Sequence, residues 1–312
     1  MTFMKIMMAG CTALAFATTA FASSPERLSP GEHIAEVDGL RFHYHVEGHG
    51  PALVVQAPGW GIGTDYLANG LAPLREHFTV ITYDPCGTGG STPVSATSHV
   101  TNVELANDLE RLRTYWGMSS ISVLGHSNGS AIAIVYAETH PDKVDKLVLV
   151  GSQLLGYTGD SGPAYELEKT RRKASPDFTW LLAHNGDKAP SDDAGFTTYF
   201  RERVGFYVYD PKRDAPKIVR QLTNTMSRSM NLAFDESPTS GEAPPLADLS
   251  KITAKTLIVE GRQDPVCPLA ESEFLRKGIH GAKLIAIDKA GHFPWVEQPG
   301  QFFGPVESFL AK

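Results

Sequence analysis

Short, nearly continuous apolar runs alternate along this chain with stretches whose apolar residues recur at helical spacing. His33–Val37 and Arg41–Glu47, joined at Asp38-Gly39, read as a β-hairpin. Ala52–Gln56 and Thr79–Tyr83 are the next two strands, followed by Ser120–Leu124 and Lys146–Val150, with two more ending at Gly261 and Ile287. Thr101-Asn-Val-Glu104 has the form of a capping box opening a helix. From there Leu105, Leu109, Leu112 and Trp116 recur at offsets of four, seven and eleven, which gives that helix one apolar face. Strands that are apolar at successive positions are buried on both faces. The pattern predicts an α/β fold: a mostly parallel, eight-stranded sheet flanked by helices.

Between about Gln153 and Pro245 the strand rhythm stops. Aromatic and helix-like stretches replace it: Phe178 and Trp180, Phe196 to Phe200, and Phe206 to Tyr209. The chain therefore divides into a first core part (23–152), an inserted helical cap (153–245) that roofs the pocket, and a second core part (246–312). Most of the cap aromatics are expected to form its own core, and a minority to face the pocket.

The N-terminal stretch is a separate matter. Lys5 precedes a small and apolar segment from Ile6 to Phe21, and Ala20-Phe21-Ala22 has the A-x-A form of a cleavage site. This reads as a signal peptide cleaved after Ala22, with a periplasmic or secreted product. The segment is too short and too rich in Ala and Thr to be read as a membrane span. Cys11 follows Ala-Gly, but the apolar run before it is too short for a lipoprotein signal.

Composition narrows the class. The 312 residues are 42% hydrophobic and 20% charged, which suits one large α/β domain with an inserted subdomain. A formal net charge of −7 gives no reason to expect nucleic acid or an anionic membrane surface as partner. After cleavage two cysteines remain, Cys86 and Cys267. They follow the fourth and seventh strands, about four sheet positions apart. At ~4.8 Å per strand that distance is roughly 19 Å, too long for a disulfide, so two thiols are expected.

Candidate chemistry lies at the ends of three strands. Residues 121–129, Ile-Ser-Val-Leu-Gly-His-Ser-Asn-Gly, form an apolar run ending in Gly125-x-Ser127-x-Gly129 and passing into a helix. This is the form of a nucleophile elbow, in which the serine occupies a strained turn and the glycines lack the Cβ atoms that would clash there. Thr256-Leu-Ile-Val-Glu-Gly-Arg-Gln-Asp264 breaks at Gly261 and carries Asp264 into a loop, and Leu284-Ile-Ala-Ile-Asp-Lys-Ala-Gly-His292 ends in a similar glycine turn. Ser127, Asp264 and His292 thus each follow the C-terminal end of a strand, the edge where open parallel sheets bind ligands. A serine hydroxyl needs a base, a histidine can serve as one, and an acid holds the imidazole in the useful tautomer. Asp160, after the sixth strand, lies farther from its strand end than Asp264 does, and Asp264 is preferred. His126 is the variable position of the elbow. His43, His45 and His49 lack a carboxylate or cysteine set at ligand spacing, so no metal and no cofactor are expected.

On these segments, together with Ala57-Pro-Gly-Trp-Gly-Ile-Gly, Tyr83-Asp-Pro-Cys-Gly-Thr-Gly-Gly-Ser91 and Gly291-His-Phe-Pro-Trp-Val-Glu-Gln-Pro299, the chain resembles the α/β-hydrolases with a helical cap. It is most similar to the proline iminopeptidase-like and esterase-type branches, from about residue 33 to the end. It departs from that pattern where Pro58-Gly59 replaces His-Gly and where Asp84-Pro-Cys86-Gly87 lacks the usual arginine. The resemblance implies an oxyanion hole made by the N–H groups of Asn128 and Trp60, with Gly59 allowing close approach. It also implies substrate contacts from the cap, for which Trp180, Tyr199 and Glu202 are the candidates. Cap carboxylates such as Glu166, Glu168 and Glu202 would bind a free α-amino group in an iminopeptidase, or else be solvated helix charges. Three functions follow: a serine hydrolase acting on a small-molecule ester, lactone or amide; an iminopeptidase; or a silent scaffold used for binding.

Overall fold

The computed structural model describes residues 25–159, 162–173, 175–184, 186–235 and 245–312. The proposed signal peptide, Cys11, Asp160, the side chain of Glu168 and most of the Pro-rich segment before Pro245 lie outside the described residues.

Eight strands form one sheet: β1 (Gly31–Val37), β2 (Leu40–Gly48), β3 (Ala52–Gln56), β4 (Thr79–Tyr83), β5 (Ile121–His126), β6 (Val144–Val150), β7 (Lys255–Gly261) and β8 (Lys283–Ile287). Their order is β1-β2-β4-β3-β5-β6-β7-β8. β2 pairs antiparallel with both β1 and β4, and every pairing from β4 onward is parallel. Val37 pairs with Leu40, and the two turn residues, Asp38 and Gly39, both have positive φ, which is what a two-residue hairpin with right-handed strand twist requires.

The helices are α1 (Asp65–Gly70), α2 (Asn102–Tyr115), α3 (Asn128–Thr139), α4 (Gly162–Arg172), α5 (Pro176–Ala183), α6 (Asp193–Arg203), α7 (Pro211–Gln221), α8 (Arg228–Ala233), α9 (Leu269–Gly278), α10 (Pro294–Glu297) and α11 (Pro299–Leu310). The capping box at Thr101 is present: Glu104 N–H donates to the Thr101 hydroxyl and Thr101 N–H to the Glu104 carboxylate.

Successive strand residues face opposite layers. Val54, Ile81, Val123 and Leu147 pack with Leu105, Leu109 and Trp116 of the α2 layer. Leu53, Val55, Leu124 and Val148 pack on the other side with Leu67, Leu74 and Phe302. Helices α4 to α8 all fall between β6 and β7. Of their aromatics, Phe178 and Phe196 are buried and Trp180 is exposed.

Cys86 follows β4 and Cys267 follows β7, four positions apart in the sheet; both are buried thiols outside any disulfide. Among the described residues no helix is long and apolar enough to cross a membrane.

Candidate active site

β5 runs out of the sheet into α3 with a single residue of turn between them. That residue, Ser127, has φ 56° and ψ −127°, a conformation a side-chain-bearing residue adopts only under constraint. The constraint is visible on both sides. A Cβ on Gly125 would sit on the carbonyl of Gly129, and one on Gly129 would sit on the carbonyl of Gln56 in β3. Only glycine at both positions lets strand and helix approach closely enough to force this turn. Ser127 N–H donates to Val150 in β6 at 3.0 Å.

Asp264 follows β7 in a turn closed by its own N–H on the carbonyl of Gly261, 3.1 Å. Its Oδ1 accepts from Val266 N–H (2.8 Å) and Cys267 N–H (3.0 Å). Its Oδ2 lies 2.6 Å from His292 Nδ1. A carboxylate oxygen accepts, so Nδ1 carries the proton and Nε2 is the basic nitrogen of His292. Ser127 and His292 line one cavity of about 590 Å³. Among the described residues the Ser127 hydroxyl has no hydrogen-bond partner.

Three buried residues that the sequence reading passed over support this arrangement. His126 is 1% exposed, with Nδ1 2.6 Å from the Tyr66 hydroxyl and Nε2 2.8 Å from the main-chain carbonyl of His292. The carbonyl can only accept, so His126 is the Nε2–H tautomer and Tyr66 donates to Nδ1. Burial, reinforced by the neighbouring His292, holds its pKa well below the ordinary histidine value and keeps it neutral. Glu297 accepts N–H groups from Gly291 (2.9 Å), Phe293 (3.1 Å) and, across to the cap, Tyr209 (2.7 Å). Burial lifts its pKa to about 7 despite these donors, which pull the other way. Glu260 stands wholly buried next to the end of β7. Its signal was legible: a carboxylate inside the apolar run Leu257-Ile-Val-Glu260. Glu297 lies in a segment whose sequence signal is its family resemblance, and His126 occupies the variable position of the elbow, with its partners remote in sequence.

The loop after β3 carries Gly59 (φ +83°), whose added Cβ would strike Leu105, and the half-buried Trp60, set edge-on to Phe200 of α6 at 5.8 Å. The Asn128 side chain donates to the carbonyl of Pro58 at 2.6 Å and to Asn102 at 2.8 Å, tying this loop to the elbow. Pro58 and Trp60 line the Ser127 cavity and Gly59 between them does not. From the cap, Phe200, Tyr207 and Leu222 reach the cavity.

The other predicted substrate contacts are elsewhere. Trp180, Tyr199 and Glu202 line a separate, more open depression with His184 and Arg203. The reason is the facing of α6. Phe200 turns inward, so Tyr199 and Glu202 point away, and Tyr199 stacks under the Arg203 guanidinium at 3.5 Å. Glu166 is exposed and paired with Lys169 at 3.2 Å. His43 and His45 meet carboxylates that are remote in sequence: Glu32 lies 2.7 Å from His43 Nε2 and Asp84 2.9 Å from its Nδ1. Among the described residues no group of side chains fits a metal ion.

Among the described lining residues of the Ser127 cavity there is no lysine or arginine, and Glu271 is the one carboxylate. It accepts the N–H of Leu154.

The model for the alpha/beta hydrolase fold matches residues 52–299. The chain is 26% identical over 286 residues to proline iminopeptidase PfmaB of Pestalotiopsis fici, covering 89% of this chain and 98% of that one. It is 29% identical over 280 residues to a 2-hydroxy-6-oxononadienedioate/2-hydroxy-6-oxononatrienedioate hydrolase of Pseudomonas putida, covering 87% and 92%. Among solved structures it is similar to a thermophilic esterase from Thermogutta terrifontis (TM-score 0.66, 19% identity, 90% and 98% covered). It is likewise similar to a meta-cleavage product hydrolase from Pseudomonas fluorescens (TM-score 0.69, 20% identity, 89% and 97% covered).

Proposed function

The chain belongs to the alpha/beta hydrolase family, and on that premise we propose that it is a serine hydrolase acting on a small ester, lactone or amide through an acyl-enzyme. The observation that carries this reading is the 2.6 Å contact of His292 Nδ1 with Asp264, opening onto the cavity that Ser127 also lines.

In this reading Ser127 attacks the carbonyl carbon while His292 Nε2 takes its proton. In the same reading the Ser127 hydroxyl and His292 Nε2 come into hydrogen-bond contact when substrate is bound. Asp264 holds the tautomer and stabilises the imidazolium. The oxyanion is received by the N–H groups of Asn128 and Trp60, each such donor worth about 3 kcal/mol in the transition state. His292 returns the proton to the leaving group, and water releases the acyl group by the same steps in reverse roles.

A cavity without a cation among its described residues gives a substrate carboxylate no counter-charge. The aromatic and aliphatic lining suits an uncharged ester with apolar groups on one or both sides of the carbonyl. A second reading is favoured by Glu271: a carboxylate in the cavity wall suits a cationic amine, as in release of an N-terminal proline. Turnover of short-chain p-nitrophenyl esters beside proline p-nitroanilide decides between them. Ester turnover and fluorophosphonate labelling, both lost in Ser127→Ala, are expected; proline release without ester turnover favours the second reading, and absence of all three overturns the hydrolase reading. We also propose that the protein is exported after cleavage behind Ala22, which the intact mass of the secreted or periplasmic product tests.

A further inference from the structure

Glu260 is 0% exposed at the end of β7. Its Oε2 accepts from the N–H of Ser152, after β6, at 3.1 Å and from the Ser272 hydroxyl on α9 at 2.7 Å. Its Oε1 is buried without a partner. A second acid, Asp264, held in the turn whose N–H returns to the carbonyl of Gly261, bears on it electrostatically, and beyond Asp264 stands His292. Glu271, beside Ser272 in sequence, is engaged with Leu154 N–H.

A carboxylate here would be desolvated and face another negative charge, and both effects favour its neutral form. Burial first, then Asp264, raise its pKa well above the usual carboxyl range. A neutral carboxyl group has one O–H to donate. Oε2 is already occupied as an acceptor, so the proton belongs on Oε1. Asp264, in turn, uses its lone pairs on the N–H groups of Val266 and Cys267 and on His292 Nδ1–H, which leaves about one acceptor site.

We propose that Glu260 is held as a neutral carboxylic acid and that its Oε1–H donates to the Asp264 carboxylate, making Glu260 a positioning residue for the Asp264–His292 pair. A fourth donor saturates the Asp264 carboxylate and fixes its plane relative to the imidazole. It also tempers the charge that His292 feels. The consequence for turnover rests on the hydrolase reading above; the protonation state of Glu260 does not.

Two measurements test this. A difference infrared spectrum of wild type minus Glu260→Gln is expected to show the carbonyl band of a protonated carboxylic acid at neutral pH. Its absence overturns the proposal, whether or not the protein turns over an ester. In p-nitrophenyl ester kinetics, Glu260→Gln retains a neutral donor and an acceptor of the same shape, and its kcat is expected within about threefold of wild type. Glu260→Ala, compared at matched circular dichroism, is expected to lose roughly ten- to a hundredfold in kcat with little change in KM, the loss expected of a hydrogen bond to a charged group. The acid limb of its kcat/KM profile is expected to move to higher pH, because Asp264 without the O–H donor holds the imidazolium more strongly. Equal impairment of the folded Gln and Ala variants, or an unmoved acid limb in Glu260→Ala, overturns the proposal. Failure of fluorophosphonate labelling in wild type would strike the hydrolase reading and leave the infrared result to decide the acid pair.

Discussion

His126 Nε2 donates to the main-chain carbonyl of His292 at 2.8 Å, a contact between residues 166 apart in sequence. The last residue of β5 thereby fixes the backbone of the proposed base. The two rings also lie 4.6 Å apart, and Trp295 meets the His126 ring edge-on at 4.7 Å. His126→Phe keeps the aromatic volume but strands the Tyr66 hydroxyl and the His292 carbonyl. Unpaired buried groups of this kind cost about 1–3 kcal/mol each. The variant is expected to fall in urea-unfolding stability by about 2–4 kcal/mol and in kcat more than in KM; an unchanged midpoint and kcat would remove the assignment.

The elbow makes a prediction of opposite sign. Ser127 sits at a φ that glycine tolerates and other residues resist. Ser127→Gly is therefore expected to unfold at a higher temperature than Ser127→Ala, by the equivalent of about 1–3 kcal/mol of backbone strain, with both inactive. Calorimetry of the two variants measures it. Equal melting temperatures would mean the turn is not strained.

Glu297 predicts a pH dependence. Its folded-state pKa, about 7, lies above the ordinary carboxyl value of 4.5, so the native state binds the extra proton between those values. Its contribution to stability is full below about pH 4.5 and is lost as pH rises through about 7. The linked loss is on the order of 3 kcal/mol. Urea unfolding of wild type and Glu297→Gln at pH 5 and pH 8 reads this out: the wild-type advantage should shrink at the higher pH. An advantage that grows with pH would mean that the N–H donors outweigh burial.

In the cap, Phe200 and Glu202 are two residues apart on α6 and serve different surfaces. Phe200→Ala is expected to raise KM for an apolar ester several-fold, the scale of a lost aromatic contact. Glu202→Gln and Trp180→Ala should leave kcat/KM within about twofold, as solvated positions generally do. The reverse ranking in ester kinetics would put substrate in the outer depression instead.

The hairpin at Asp38-Gly39, the capping box at Thr101 and the strand runs were legible because each is a local preference written in a few consecutive residues. The elbow was legible because its Gly-x-Ser-x-Gly spacing is local, although the backbone that Gly129 clears, the carbonyl of Gln56, belongs to β3. The cap was harder. Its helices are amphipathic toward each other as well as toward the core, so aromatic positions alone did not say which face of α6 looked down. Phe200 and Tyr199, adjacent in sequence, ended on opposite surfaces.

What the sequence determined by itself was the alternation of buried strands with amphipathic helices and the order in which Ser127, Asp264 and His292 leave the sheet. Those properties depend on short-range spacing and on apolar burial. Tertiary structure alone decided the neutral tautomer of His126, the gathering of three N–H groups on Glu297, and the confinement of Glu260 beside Asp264. A charge state is set by the dielectric and partners around a group, and here each group has at least one partner far away along the chain: Tyr66 and His292 for His126, Tyr209 for Glu297 and Ser152 for Glu260.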